Sequence, residues 1–325
     1  MAAEQFQVLV TADHWAPEAQ DIVRAAGGGI HFMQGEVTEA TLGRQLAATG
    51  AQALVVRGNR PVTEAVLAQA PALRLVAKNG AGVDGVDLAA ARRRGIPVAV
   101  AAAANADAVA EHALSLMLAL TRELPRLDRM VRDGAWADSR WQGRDFRGSV
   151  VGIVGYGSIG RATARLAAAV GARVLVLRGS PGRSACRDDG FEEAETLEQF
   201  LPRLDILSLH CPLNERTRGL VGTCELALLK PGALLVNTAR GPVVQEPALL
   251  DALRSGHLAG AGLDTFDTEP LPADHPYLGL PQVLLTPHVA GVTRNSALNV
   301  ALITARNVVD HLAGRPLPAH HLVRA

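Results

Sequence analysis

The chain has 325 residues, 48% of them apolar, more than one small core needs, so two α/β domains are expected. Lys plus Arg and Asp plus Glu both number 32, and the zero formal charge argues against a nucleic-acid partner and against binding to an anionic membrane. Cys186, Cys211 and Cys224 are too scattered for a disulfide framework or a Cys/His metal site, which points to a reducing, cytosolic compartment.

The opening stretch MAAEQFQVLVTADHW has no basic n-region followed by a long apolar run, so no signal peptide is expected. The first hundred residues alternate short apolar runs with amphipathic segments. The runs are QVLVTA (7–12), GIHFMQG (29–35), ALVVRG (53–58), LRLVAKNG (73–80) and PVAVA (97–101). Segments such as PEAQDIVRAAG and TEATLGRQLAATG lie between them, the latter ending at Gly50, a residue favoured just past a helix. Five strands and four helices in strict alternation predict a parallel, doubly wound sheet. A long helix is predicted from about Ala106 to Gly134. The Ala-rich stretch from Val98 to Leu120 is broken by Asn105, Asp107, Glu111 and His112, which makes it a buried helix rather than a membrane span.

A second cycle begins at SVVGIVGYGSIGRATARLAAAVG. It continues through ARVLVL (172–177), DILSLH (205–210), ALLVNTA (233–239), GAGLD (260–264) and VLLTP (283–287), then a final helix from about Thr293 to Gly314. That helix needs a surface to pack on, and a return to the first domain provides one. The expected organisation is a first part at 1–101, a Rossmann dinucleotide-binding domain at 102–290 and a returning C-terminal helix at 291–325. The fold class is α/β, with the Rossmann domain inserted into a flavodoxin-like substrate domain.

Gly155-Tyr156-Gly157-Ser158-Ile159-Gly160 follows the apolar strand VVGIV and opens a helix, the setting in which a GxGxxG pattern cradles a dinucleotide pyrophosphate. The amides of Ser158 and Ile159 at the helix start are the expected donors. An NAD site places an acid about 20 residues on to accept from the ribose 2′-hydroxyl. Here Arg178 stands at that point, with Ser180 and Arg183 after it and no acid before Asp188. Arginine suits a 2′-phosphate, so NADP is the expected cofactor, with NAD as the alternative.

Arg240, Glu269 and His288 lie in NTARGPVV, DTEP and LTPHVAG, each after an apolar run of the second cycle. The carboxyl ends of strands in an open parallel sheet face the ligand crevice. There Arg240 would grip a substrate carboxylate with paired hydrogen bonds and polarise a keto oxygen. His288 would move the proton, and Glu269 would hold its other ring nitrogen. Each residue alone has a plainer reading, as an ion-pair former, a loop acid before Pro270 or a satisfied buried histidine. Their shared placement is what favours catalysis.

With these motifs the sequence resembles the D-isomer-specific 2-hydroxyacid dehydrogenases. The resemblance runs from about Val55 to Gly314 through VVRGNRPVTEAVL, KNGAGVDGVDL, NADAVAEHALSLMLALTR, the glycine loop, HCPLNERTRGL, NTARGPVV, GAGLDTF and TPHVAG. It implies an NAD(P)-dependent oxidoreductase that interconverts a small 2-keto acid and a 2-hydroxy acid, of hydroxypyruvate, glyoxylate or 3-phosphoglycerate type. It implies Arg240 as carboxylate anchor, Glu269 with His288 as proton-transfer pair, and substrate contacts at Arg57 and at Asn79-Gly80-Ala81-Gly82. Asp264 and the Thr238 backbone would hold the nicotinamide carboxamide, and His210, Cys211, Pro212, Thr217, Ala239 and Gly291 would border the cofactor. The long helix near Glu111 would lie at a homodimer contact through the cofactor domain.

The sequence departs from that pattern at Arg178, which replaces the usual acid, and at Ala102 to Ala104, where Thr-Pro-Gly is common. Glu269 in place of glutamine argues against a formate dehydrogenase. The absence of a lysine within Gly80-Ala81-Gly82 argues against phosphite oxidation. The alternative function is a dinucleotide-sensing corepressor on the same fold, disfavoured by the short stretch before the first strand. The short stretch after the last helix likewise leads us to expect no regulatory domain. Lys78 is read either as a second anion contact beside Arg57 or as a solvated side chain.

Overall fold

The structure, a computed structural model, describes residues 5–177, 179 and 185–323. In chain order the first elements are β1 (Phe6–Val10), α1 (Pro17–Ala25), β2 (Gly28–Phe32), α2 (Glu39–Thr49), β3 (Ala53–Val56), α3 (Glu64–Ala68), β4 (Leu75–Lys78), α4 (Leu88–Arg93) and β5 (Val98–Val100). Then come α5 (Ala106–Thr121), α6 (Leu124–Arg132), β6 (Val150–Val154), α7 (Ser158–Ala169), β7 (Arg173–Leu177), α8 (Ala185–Asp188), β8 (Glu192–Ala194) and α9 (Leu197–Phe200). The chain continues with β9 (Ile206–Leu209), α10 (Thr223–Leu228), β10 (Ala233–Asn237), α11 (Glu246–Arg254), β11 (Leu258–Leu263), β12 (Val283–Leu285) and α12 (Arg294–Leu312). Contacts divide these into two compact units, Met1–Asn105 with Thr293–Ala325, and Ala106–Val292.

In the first unit five parallel strands run in the order β2-β1-β3-β4-β5, the flavodoxin-like arrangement. Side chains alternate across the strands. Val8, Val10, Val55 and Ala77 face α1 and α12 through Ala19, Val23, Ala301, Ala305 and Val308. Leu9, Leu54, Val56 and Val76 face the other layer through Leu42, Leu46, Leu67 and Ala90. Burial on both faces is why these strands read as unbroken apolar runs. Each fully buried aliphatic side chain contributes roughly 1.5–3 kcal/mol, so both helix layers are held mainly by packing.

The second unit is a seven-stranded parallel sheet in the order β12-β11-β10-β9-β6-β7-β8. Chain order reverses between β6 and β9, which is the Rossmann arrangement and opens a crevice at the carboxyl ends of those strands. Leu116 and Met117 of α5 pack with Ala164 and Ala167 of α7 on one face. Leu226 of α10 and Leu249 and Leu253 of α11 cover the other. The protein is therefore an α/β chain of two doubly wound parallel sheets, with the Rossmann unit inserted in sequence between the two segments of the flavodoxin-like unit.

Two elements differ from the sequence reading. The single long helix is two, because Pro125 has no N–H to offer the Thr121 carbonyl, and Glu123 turns the backbone to φ 51°. The short edge strand β8 has no counterpart among the expected strands. Its sequence, Glu-Glu-Ala, buries only Ala194, so no apolar run marks it.

Candidate active site

β6 delivers the glycine loop to the carboxyl edge of the Rossmann sheet. A Cβ at Gly160 would overlap the Gly155 carbonyl oxygen, and one at Gly155, where φ is 93°, would stand 2.6 Å from the Cys211 nitrogen. Only glycine allows this turn to close against the strand beside it. Around Gly157 the space is open, and α7 starts there with no side-chain cap on its amides. Uncapped N–H groups at a helix start beside open space fit an anionic pyrophosphate. The described residues thus suit a dinucleotide.

Tyr156 and Arg161 tie the loop down. The Tyr156 hydroxyl donates to Asp189 at 2.7 Å, and Arg161 makes paired bonds to the same carboxylate at 2.5 Å each. The Arg161 bonds, then the Tyr156 bond, hold the Asp189 carboxyl well below the usual carboxylate range; burial and the Asp189 bond push the Tyr156 hydroxyl up. Sequence reasoning missed this clamp, because nothing in RDDG distinguishes the acid that turns back to the loop. Arg178, Ser180 and Arg183 lie outside the described residues.

The other cofactor-side residues lie at the ends of β9, β10 and β11. His210 is half-buried; its Nε2 lies 2.8 Å from Ser208 Oγ, and its Nδ1 is shut off from solvent with no hydrogen-bond partner. Burial pushes its pKa down to about 4. Burial also pushes the Cys211 thiol up. Pro212 accepts from the Thr217 hydroxyl at 2.6 Å, which closes that turn. The Thr238 hydroxyl is buried without a partner, and the Ala239 amide donates to Asn237. Asp264 is buried; Oδ1 accepts from Thr286 Oγ1 (2.6 Å) and Val289 N (2.9 Å), and Oδ2 from Ala290 N (2.8 Å), next to Gly291.

Arg240, Glu269 and His288 emerge from neighbouring strands. Asn237 of β10 pairs in register with Leu263 of β11, and Leu263 with Leu285 of β12, so the three segments leave the sheet level with one another. Gly241 lies so close to the Phe266 backbone that a Cβ would not fit, which seats the Arg240 loop on the Glu269 loop. Glu269 Oε1 accepts from Phe266 N at 3.0 Å, and Oε2 lies 2.7 Å from His288 Nδ1. Arg240 is half-buried, with Nη1 donating to the Ala239 carbonyl at 2.6 Å. The His288 side chain is 47% exposed and its backbone is left-handed, φ 54°. An accessible imidazole oriented by a carboxylate, on the sheet edge from which the Arg240 loop also leaves, is equipped to pass a proton to a bound anion.

The remaining predicted residues belong to the first unit. Arg57 follows β3, and its Nη1 donates to the His14 carbonyl at 2.7 Å. With Arg60, Asp13 and His14 it lines a cavity of about 530 Å³ at the carboxyl ends of β1 and β3. Asn79 Oδ1 accepts from Trp15 Nε1 at 3.0 Å, and Gly80-Ala81-Gly82 continue from it with Gly80 at φ 153°. Lys78 is not solvated: it is buried, and its ammonium donates to the Gly58 carbonyl. Ala103, in the stretch singled out for lacking Thr-Pro-Gly, takes a positive φ of 61°.

Residues 114–290 match the family described as D-isomer specific 2-hydroxyacid dehydrogenase, NAD binding domain. The chain belongs to this family. It is 33% identical over 309 residues to the D-3-phosphoglycerate dehydrogenase of Archaeoglobus fulgidus, covering 95% of this chain and 58% of that one. It is 40% identical to the glyoxylate reductase of Aeropyrum pernix, covering 78% of this chain and 77% of the relative. The chain spans about half the length of the phosphoglycerate dehydrogenases it matches. Among solved structures, a protein of Thermus thermophilus superposes with a TM-score of 0.88 at 36% identity, covering 98% of this chain and all of that one. In this 2-hydroxyacid dehydrogenase family member no helix among the described residues is long and apolar enough to cross a membrane.

Proposed function

We propose that this chain is an NAD(P)-dependent 2-hydroxyacid dehydrogenase that works mainly as a 2-keto acid reductase. The observation that carries the reading is the 2.7 Å contact between His288 and Glu269 on the sheet edge where the uncapped α7 and the Arg240 loop also open. A reduced nicotinamide, when bound, supplies the hydride to the keto carbon. Arg240 holds the substrate carboxylate and draws charge from the keto oxygen. His288 gives that oxygen a proton, completing the hydroxyl, and takes one back in the reverse direction. Glu269 fixes the imidazole so that the nitrogen away from the carboxylate faces substrate.

NADPH is the proposed coenzyme, on the strength of Arg178, Ser180 and Arg183 in the sequence. The nearby Asp189 is engaged by Arg161 and Tyr156, which supports the absence of an acid for a ribose hydroxyl. In the first unit, Arg57 and the Asn79-Gly80-Ala81-Gly82 turn are proposed substrate contacts. The cavity lined by Arg57 and Arg60, whose two guanidiniums outnumber the Asp13 carboxylate there, favours a substrate with a second anionic group, of the 3-phosphoglycerate type, over glyoxylate. A homodimer through the Rossmann unit is also proposed. It is supported by α6, which buries none of its residues and exposes Leu124 and Val131, with Trp136 beyond it 83% exposed. The scattered spacing of Cys186, Cys211 and Cys224 suits a cytosolic enzyme.

The test is a panel of glyoxylate, hydroxypyruvate, pyruvate, phenylpyruvate and 3-phosphohydroxypyruvate with NADPH and NADH, followed by absorbance. Turnover of a 2-keto acid with NADPH in preference to NADH is expected; no oxidation of either coenzyme with any of these acids would sink the reading.

A further inference from the structure

His112 stands on α5, in the NADAVAEH stretch. Its Nε2 is 3.0 Å from the Thr286 hydroxyl, across 174 positions of sequence. Thr286 lies two residues before His288, and its hydroxyl donates to Asp264 Oδ1 at 2.6 Å. A hydroxyl has a single proton. Because Thr286 spends that proton on Asp264, the side of the oxygen facing α5 offers only a lone pair, and His112 must meet it with Nε2–H. Asp264 in turn receives the amides of Val289 and Ala290, the two residues after His288. His288 itself has a left-handed backbone, unusual for a residue with a Cβ, and its own amide bonds the Thr286 carbonyl at 3.0 Å. The backbone around this histidine is thus gripped on both sides by one hydrogen-bonded chain: His112, Thr286, Asp264, then the amides at 289 and 290.

We propose that His112 is a positioning residue for the reaction. Through Thr286 and Asp264 it holds the left-handed turn that presents the His288 imidazole to Glu269 and to substrate. His112 touches neither the keto acid nor the nicotinamide in this scheme; it acts through its hydrogen bond to Thr286 and through the same Nε2, which stands 3.8 Å from Asp264 Oδ1. The inference rests on the reading of His288 as the proton donor.

The tautomer is tested first, on the wild-type protein, by long-range proton–nitrogen NMR of the histidine rings. His112 should carry its proton on Nε2; a ring protonated only at Nδ1 would overturn the proposal without any variant. Steady-state kinetics then compare His112→Ala, His112→Gln and Thr286→Val, with dinucleotide affinity measured separately by fluorescence. His112→Ala should lower kcat for the 2-keto acid about tenfold, since small misplacements of a reacting group are costly. The Kd for dinucleotide should stay within about twofold, and His112→Gln, whose amide can still donate, should recover most of the loss. Thr286→Val should match His112→Ala, and the double variant should be no worse than either, as expected of members of one chain. An unchanged kcat in His112→Ala, or no recovery in His112→Gln, overturns the proposal. His288→Ala is assayed alongside: if it keeps full activity, the proton-donor reading falls, whereas a dead His288→Ala with a normal His112→Ala removes only the role of His112.

Discussion

Glu269 Oε2 and His288 Nδ1 lie 2.7 Å apart, and both side chains remain partly open to solvent, 36% and 47% exposed. Here the second ring nitrogen stays accessible, at the edge of the sheet where dinucleotide and substrate would meet.

If that nitrogen moves the proton, His288→Ala should lower kcat by roughly 10² to 10⁴. Glu269→Gln keeps a hydrogen-bonding oxygen to orient the ring but can also turn its N–H to the same nitrogen, so it should cost less, on the order of tenfold in kcat. Steady-state kinetics check both. A Glu269→Gln enzyme with wild-type rate would reduce Glu269 to a loop contact.

Arg240→Lys separates charge from geometry. Lysine retains the positive charge but lacks the planar fork that engages a carboxylate through two parallel bonds. KM for the 2-keto acid should rise at least about tenfold, and kcat should fall as well because a single ammonium cannot hold the carboxylate and reach the keto oxygen in the geometry of the fork. Substrate titrations of the purified variant decide it. Equal KM values would show that the carboxylate is held elsewhere.

His210 makes stability depend on pH. The folded protein keeps it neutral, with its pKa pushed from 6.5 to about 4 by burial. Between those values the unfolded chain binds the extra proton and the folded one does not, so stability is intact above about pH 6.5 and is lost as pH falls toward 4. At about pH 5 the loss should approach roughly 2 kcal/mol relative to pH 7. Urea midpoints for wild type and His210→Gln measure it: the variant should lack this part of the pH dependence. Parallel pH curves for the two proteins would contradict the assignment.

A second copy of the chain on α6 would cover Leu124, Val131 and the Trp136 segment. Val131→Asp should therefore weaken association, and light scattering should shift from twice the 34.0 kDa chain mass toward the single-chain value. A wild-type protein that is monomeric at high concentration would remove the dimer proposal outright.

The two sheets are legible in the sequence because their strands are buried on both faces. Runs such as ALVV and ALLVN carry the strand signal without help from context, and the glycine loop between β6 and α7 marks the second cycle. The lost features are ones where a local pattern gives no signal. Pro125 ends a helix that periodicity alone carries on to Gly134, and Glu-Glu-Ala forms an edge strand only because β7 offers it a partner. Motif order also brings Arg240, Glu269 and His288 to one sheet edge. It cannot show that His112 reaches Thr286, because that contact joins a helix on one face to a loop 174 residues later. Nor could it show that Asp264 spends its oxygens on the loop of His288, since that depends on where Val289 and Ala290 point their amides.

The most direct measurement follows the hydride itself. Reduced nicotinamide coenzyme deuterated at the transferring position is incubated with the enzyme and the best 2-keto acid from the panel, and the product is examined by mass spectrometry. The deuterium should appear on the carbon that bore the keto oxygen, in one enantiomer of the 2-hydroxy acid, and its transfer should slow by roughly 10² to 10⁴ with His288→Ala. A product that takes its new hydrogen from water, or label transfer that persists at full rate without the imidazole, would contradict the account.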